Sequence, residues 1–147
     1  MIVKDVYIDA PPQVVYAFLT EPAKMAEWIG TEVDLDPRPG GIFRVVPNLV
    51  DVIRGQYVET VPYAKVSFTW GFDGAGHEVP AGSTLVEITL EPEGAGTRLR
   101  LTHRDLTGEW QDEHAAGWDH YLARIAIAAA GGTPEPDPYA DPSHRHG

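Results

Sequence analysis

The sequence contains no cysteine, which excludes disulfides, thiolate nucleophiles and cysteine-ligated zinc. It also lacks any segment approaching the ~18 consecutive apolar residues of a membrane-spanning helix. Positive charge is scarce: 11 Lys and Arg stand against 22 Asp and Glu, for a formal net charge of −11. Nucleic acid and anionic membrane surfaces are bound through clustered Lys and Arg, so this balance argues against both as partners. The densest basic group, Arg98, Arg100 and Arg104, falls on one candidate strand, where alternation spreads it along a solvated face. The N-terminal "MIVKDVYIDAPPQ" carries Lys4 and Asp5 and no apolar core of a signal peptide, so the expected location is cytoplasmic.

What is present is ordinary globular material. The 147 residues are 43% hydrophobic and 22% charged, enough for one domain with a real core. That domain is expected over 1–131. The remainder, 132–147, contains "TPEPDPYADPSHRHG", a Pro-rich stretch with too little apolar surface to offset its ordering entropy, and is expected to be a disordered tail.

Periodicity changes twice along the chain. "VKDVYIDA" reads as a strand, and "PPQVVYAFLTEPAKMAEWI" as two short helices, each started by proline and separated near Thr20. From Thr31 to Arg104 the period is two, broken by "DPRPGG", "PNL", "VPYA", "FDGAGHEVPAGS" and "EPEGAGT". Strands fit at about 31–36, 41–47, 51–60, 64–72, 83–91 and 97–104. Val66, Phe68, Trp70 and Phe72 share one face; so do Val86, Ile88 and Leu90, and Leu99, Leu101 and His103. A helical period returns from Glu109 to Ala130. At 100° per residue it gathers Trp110, His114, Gly117, Trp118, Tyr121, Ile125 and Ala128 on one side, with Asp112, Asp119 and Ala123 opposite. A curved antiparallel sheet of about seven strands closed by a long C-terminal helix is an α+β fold, and it encloses space between sheet and helix.

Several chemistries can be set aside. His114 and His120 are six residues apart, about 120° around a helix, and cannot ligate one ion together. His77-Glu78 lies in a turn without the His-Glu-x-x-His spacing, and the tail's "HRH" is at most an adventitious metal trap. The two "GAG" stretches, 74–76 and 94–96, sit between strands and read as hairpin turns, so no dinucleotide cofactor is expected. No serine has the strand–turn–helix context of a nucleophile. Asp112 and Glu113 lie near a helix start, off its inner face, where they favour the helix dipole. No metal, cofactor or catalytic residue is assigned.

The inward-facing residues are more informative. His103 points inward from the last strand and His114 from the opposing helix. Each is a satisfied core histidine, a ligand-orienting group or a proton-transfer group in a cyclisation. Large rings on both walls suit a pocket that stacks flat apolar molecules. Candidate ligand-binding residues are therefore Trp28, Phe43, Phe68, Trp70, Leu101, His103, His114, Trp118 and Tyr121. Arg44 and Arg54 sit on strands whose facing the pattern leaves ambiguous.

Five stretches in this order carry a resemblance: "IDAPPQVVYAFLTEPAKMAEWIG" (8–30), "PGGIFR" (39–44), "GQYVETVPYAKVSFTW" (55–70), "STLVEITLEPEGAGTRLRLTH" (83–103) and "HAAGWDHYL" (114–122). Together they resemble the START-like (SRPBCC) superfamily with its helix-grip fold, and within it the group related to the heat-shock-protein-90 ATPase activator homologue. The resemblance implies a hydrophobic cavity between sheet and C-terminal helix. Members range over lipid and polyketide binding, aromatic-ring cyclisation, stress tolerance and chaperone assistance, so it does not fix one chemistry. The leading expectation is a protein that binds a hydrophobic small molecule, lipid- or polyketide-like. The alternatives are a polyketide cyclase or aromatase using His103 or His114, and a co-chaperone-like module that engages a chaperone through its acidic surface.

Overall fold

The computed structural model describes residues 1–30, 32–47, 51–74, 79–106 and 108–135. The chain runs β1 (Ile2–Ile8), α1 (Pro12–Thr20), α2 (Pro22–Met25), β2 (Glu32–Leu35), β3 (Ile42–Val46), β4 (Ile53–Val61), β5 (Lys65–Trp70), β6 (Thr84–Glu93), β7 (Gly96–Arg104) and α3 (Glu109–Ala129). The strands form a seven-stranded sheet in the order β1-β7-β6-β5-β4-β3-β2. Every neighbouring pair is antiparallel, and α3 covers one face. This is the α+β architecture that the pattern of periods predicts, arranged as the helix-grip fold that the resemblance implies.

Proline sets the first corner. Pro12 and Pro22 occupy the first turns of α1 and α2, where their missing N–H costs nothing. Glu21 between them is extended, at φ −105° and ψ 125°, as a residue preceding proline prefers. The second helix is shorter than the sequence suggests: it stops at Met25, and Trp28 and Ile29 follow through turn bonds to the Met25 carbonyl.

Alternation decides which face is dry. Val66, Phe68 and Trp70 on β5, Val86, Ile88 and Leu90 on β6, and Leu99, Leu101 and His103 on β7 are all buried. The opposite face carries an ion-pair ladder that includes Asp5–Arg100, Glu93–Arg98, Glu87–Arg104 and Glu59–Lys65. The arginines expected on a solvated face are there. Exposed pairs of this kind contribute ~0–1 kcal/mol each, so the apolar side of the sheet holds the fold.

On α3 the buried residues are His114, Gly117, Trp118, Tyr121, Leu122, Ile125, Ala128 and Ala129. Leu122 and Ala129 widen the stripe that the helical wheel picks out, and Trp110 at its start is half-buried. Lys4 on β1 meets Asp119 at 3.0 Å, and the N-terminal ammonium donates to the Gln111 side chain. At the far end, the Arg124 guanidinium donates to the carbonyls of Trp28 and Glu135. Ala75 and Gly76 of the first "GAG", the His77-Glu78 pair, and residues 136–147 with the "HRH" stretch lie outside the described residues.

One glycine is fixed by contact. A Cβ on Gly55 would stand 1.8 Å from the carbonyl oxygen of Thr69 on the next strand. Beside it the Thr69 hydroxyl accepts the Gln56 N–H at 2.9 Å, and the β4–β5 register shifts between Tyr57 and Glu59. Because the obstructing atom is backbone, Gly55→Ala is expected to cost about 3 kcal/mol or more in a urea unfolding series.

Candidate functional site

The site is built where β5, β6 and β7 face the first half of α3. Trp70 ends β5, Thr84 opens β6 beside it, and His103 lies near the end of β7. The register pairs Trp70 with Thr84 and Val86 with His103. From the helix, His114 and Trp118, one turn apart, project into the same space. Ring centroids lie 5.1 Å apart for Trp70 and Trp118, 5.7 Å for Trp70 and His103, and 5.4 Å for the two histidines. Phe72 approaches His114 at 5.8 Å. Phe43 extends the ring wall toward β3, stacked on Phe68 at 4.0 Å.

Hydrogen bonds connect the two walls reciprocally. The indole N–H of Trp118, on the helix, donates to Nδ1 of His103, on the sheet, at 3.0 Å. The indole N–H of Trp70, on the sheet, donates to Nε2 of His114, on the helix, at 3.3 Å. An indole only donates, so His103 Nδ1 and His114 Nε2 are both unprotonated acceptors. The remaining nitrogens must then carry the protons. His103 Nε2–H donates to the Thr84 hydroxyl at 2.9 Å, and that hydroxyl donates to the Trp70 carbonyl at 2.8 Å. His114 Nδ1–H donates to the Trp110 carbonyl at 2.9 Å. Both imidazoles are neutral, in opposite tautomers.

Burial reinforces the neutral state. His103 is fully buried, and its pKa is pushed down to about 3, by desolvation first, then by His114 and the N-terminal ammonium. Among the described residues, no buried side-chain nitrogen or oxygen lacks a hydrogen-bond partner. Neither imidazole therefore presents a free lone pair for proton abstraction in this arrangement. Replacing Thr84 with valine, which keeps the shape and removes the hydroxyl, is expected to strand the His103 Nε2–H. The expected cost is about 1–3 kcal/mol in chemical denaturation at neutral pH.

The candidates read from the sequence divide by position. Phe43, Phe68, Trp70, His103, His114 and Trp118 form one continuous ring assembly. Leu101 is buried in the same sheet face, paired with Ile88. Tyr121 lies further along α3, edge-on to His120 at 5.0 Å. Trp28 belongs to another corner, where its indole donates to the Phe18 carbonyl at 2.9 Å. Thr84, Phe72 and Tyr57 are buried on the same inner face and stand outside the set of candidates read from the sequence. Continuing the β6 alternation back from Val86 points Thr84 inward, and the same step on β4 points Tyr57 inward; its hydroxyl donates to the Leu19 carbonyl at 3.0 Å.

Rings from both walls meet in the space predicted between sheet and helix. A groove of about 570 Å³ opens on the sheet's outer face, lined by residues that include Ile42, Arg54, Gly55, Gln56 and Thr69. Arg44 and Arg54 both turn to that outer side. Arg44 is paired with Glu32 and Asp34 at 3.3 and 3.1 Å, and Arg54 with Asp73 at 2.9 Å. Asp112 and Glu113 are exposed in the first turns of α3. Among the described residues, no group of three or more His, Asp or Glu could hold a metal ion, and no helix is long and apolar enough to cross a membrane.

Residues 9–130 match the family described as Activator of Hsp90 ATPase homolog 1-like protein. The chain belongs to that family. The match runs from before α1 to the end of α3 and includes His103 and His114. A solved AHSA1-like protein from Rhizobium etli is 42% identical, with a TM-score of 0.74 over 94% of this chain and 86% of that one. The Aha1 dimer of Colwellia psychrerythraea shares the fold at 20% identity, with a TM-score of 0.77 over 90% of this chain and 98% of that one. DynU16, from the dynemicin biosynthetic locus, shares it at 24% identity and a TM-score of 0.77; the likeness covers 90% of this chain and 48% of that one. Comparison with curated proteins gives no match.

Proposed function

We propose that this AHSA1-like protein binds a flat, apolar, largely aromatic small molecule between the β5–β7 face and the first half of α3. The ligand takes its place among Phe43, Phe68, Trp70, His103, His114 and Trp118, with Leu101 in the wall behind and Tyr121 beyond. The observation that carries this reading is the reciprocal pairing of two tryptophans with two neutral histidines inside a ring cluster. Exchanging both partners of a buried hydrogen bond for apolar groups of the same shape is close to neutral for stability. Stability alone therefore does not call for a polar chain here, whereas recognition of a ligand does.

Access to the cluster follows from the start of α3. Its N-cap, Gly108, stands at φ 59° with no side-chain capping bond, and Asp105 is held at φ 75°. A non-glycine residue in the left-handed region stores strain, and an uncapped helix end is among the first parts of a helix to open. Lifting the first turns of α3 about Asp105 and Gly108 uncovers His114 and Trp70 before the rest of the cluster.

The test is titration of the intact protein with hydrophobic fluorophores, fatty acids and fused-ring aromatics, followed by tryptophan fluorescence and thermal shift. Saturable binding with a rise in Tm is expected for the flat aromatics, and no response from any of them contradicts the proposal. A protein partner is the second reading, favoured by the family to which the chain belongs. It predicts a change in a chaperone's ATPase rate on addition of this protein, and an unchanged rate removes it.

A further inference from the structure

The hydrogen-bond polarity of the cluster restricts what the ligand can be. We infer that the ligand carries a hydroxyl on a flat ring, a phenol or enol, and that this hydroxyl inserts between the Trp70 indole N–H and His114 Nε2. The inference rests on the binding role proposed above and adds to it the polar group that is read.

The insertion point is chosen by geometry. Of the hydrogen bonds linking the two walls and the β6 hydroxyl, Trp70 to His114 is the longest, at 3.3 Å, against 3.0 Å for Trp118 to His103 and 2.9 Å for His103 to Thr84. N–H···N and N–H···O bonds weaken as they lengthen beyond the usual 2.9–3.0 Å, so this link is the least costly to part. It is also the one nearest the uncapped start of α3. Around it stand the rings of Phe72, Trp110 and His103, at 5.8, 6.2 and 5.4 Å from the His114 ring, which suits a flat aromatic body.

Parting the link leaves one donor and one acceptor, and both must be answered. The Trp70 N–H needs an acceptor. His114 Nε2 needs a donor, because its Nδ1–H is committed to the Trp110 carbonyl. A ketone or ether oxygen satisfies the indole and strands the imidazole; an N–H group does the reverse. A carboxylate sets its lone pairs against that of Nε2 and brings a charge among apolar rings, which is costly. A hydroxyl alone does both at one atom: it accepts from Trp70 and donates to His114. A site built to bond a hydroxyl rejects the analogue that lacks it, because buried groups are then left unpaired.

The experiment compares 2-naphthol, 2-methoxynaphthalene, naphthalene and 2-naphthoate by fluorescence titration of the intact protein. Methylation removes only the donated proton, and naphthalene controls for the bulk of the methyl group. 2-Naphthol is expected to bind at least tenfold more tightly than 2-methoxynaphthalene and naphthalene, with 2-naphthoate the weakest. Equal affinities, or a preference for the carboxylate, overturn the hydroxyl inference and leave the binding role standing. If none of the four binds, both fall. His114→Phe, which keeps a ring at that position, should bring 2-naphthol down to the affinity of naphthalene; a preference that survives this change also overturns the inference. Because the ligand series is read on the unaltered protein, it decides the question even if the variant folds poorly.

Discussion

Replacing Trp118 with alanine is expected to lower the unfolding free energy by about 3–5 kcal/mol, the range for truncating a large buried aromatic. The indole is almost completely buried between α3 and the sheet, 5.1 Å from the Trp70 ring. Its loss opens a cavity and also strands His103 Nδ1, whose donor is the Trp118 N–H. Against the ~5–15 kcal/mol of a typical domain, such a loss brings the protein near its unfolding threshold. Trp118→Phe narrows the comparison, since it keeps a six-membered aromatic ring and removes the donor together with the five-membered part of the indole. It should cost about 1–3 kcal/mol. Urea unfolding of both variants at neutral pH checks the pair; an alanine variant within about 1 kcal/mol of the parent would contradict the packing described.

Acid is expected to destabilise the protein strongly between about pH 6.5 and pH 3. His103 titrates near 6.5 in an unfolded chain, while in the folded protein its pKa is pushed down to about 3 by burial, with His114 and the N-terminal ammonium adding to the effect. Within that window the unfolded state binds the proton and the native state does not, so stability falls as pH falls. Above the upper limit both states are neutral and the contribution is complete; below the lower limit both are protonated and it is gone. One pK unit corresponds to ~1.4 kcal/mol, so the window spans on the order of 5 kcal/mol. Carboxylates titrate in the same region, and the measurement is therefore a difference. The slope of stability against pH for the parent should exceed that for His103→Phe between pH 4 and 6, and equal slopes would contradict the burial of a neutral imidazole.

Much of this arrangement is written in local periodicity. The two-residue period through Leu99, Leu101 and His103 and the 3.6-residue period through His114, Trp118 and Tyr121 each fix a face. Faces alone bring His103 and His114 toward one interior. What periodicity does not carry is axial offset, the position at which α3 crosses each strand. That offset decides that Trp118 meets His103 while Trp70 meets His114, and it lies in the β7–α3 connection, where Asp105 and Gly108 take positive φ. Nor does alternation report how closely facing rings approach. Phe43 on β3 and Phe68 on β5 stack at 4.0 Å across the intervening strand, a contact between non-neighbouring strands that alternation does not report. Alternation alone does not decide the facing of Arg44 on β3 and Arg54 on β4; their ion pairs with Glu32, Asp34 and Asp73 place both on the outer side.

The ring cluster between sheet and α3, and not the groove on the outer face, is the proposed ligand site. The four tryptophans of the chain, Trp28, Trp70, Trp110 and Trp118, give four indole N–H signals in a 15N-labelled sample, and a titration with 2-naphthol reads them directly. Saturable shifts concentrated in Trp70 and Trp118, with Trp28 unmoved, are the predicted result. Indole signals that stay in place while the backbone amides of Arg54, Gln56 and Thr69 shift would contradict it.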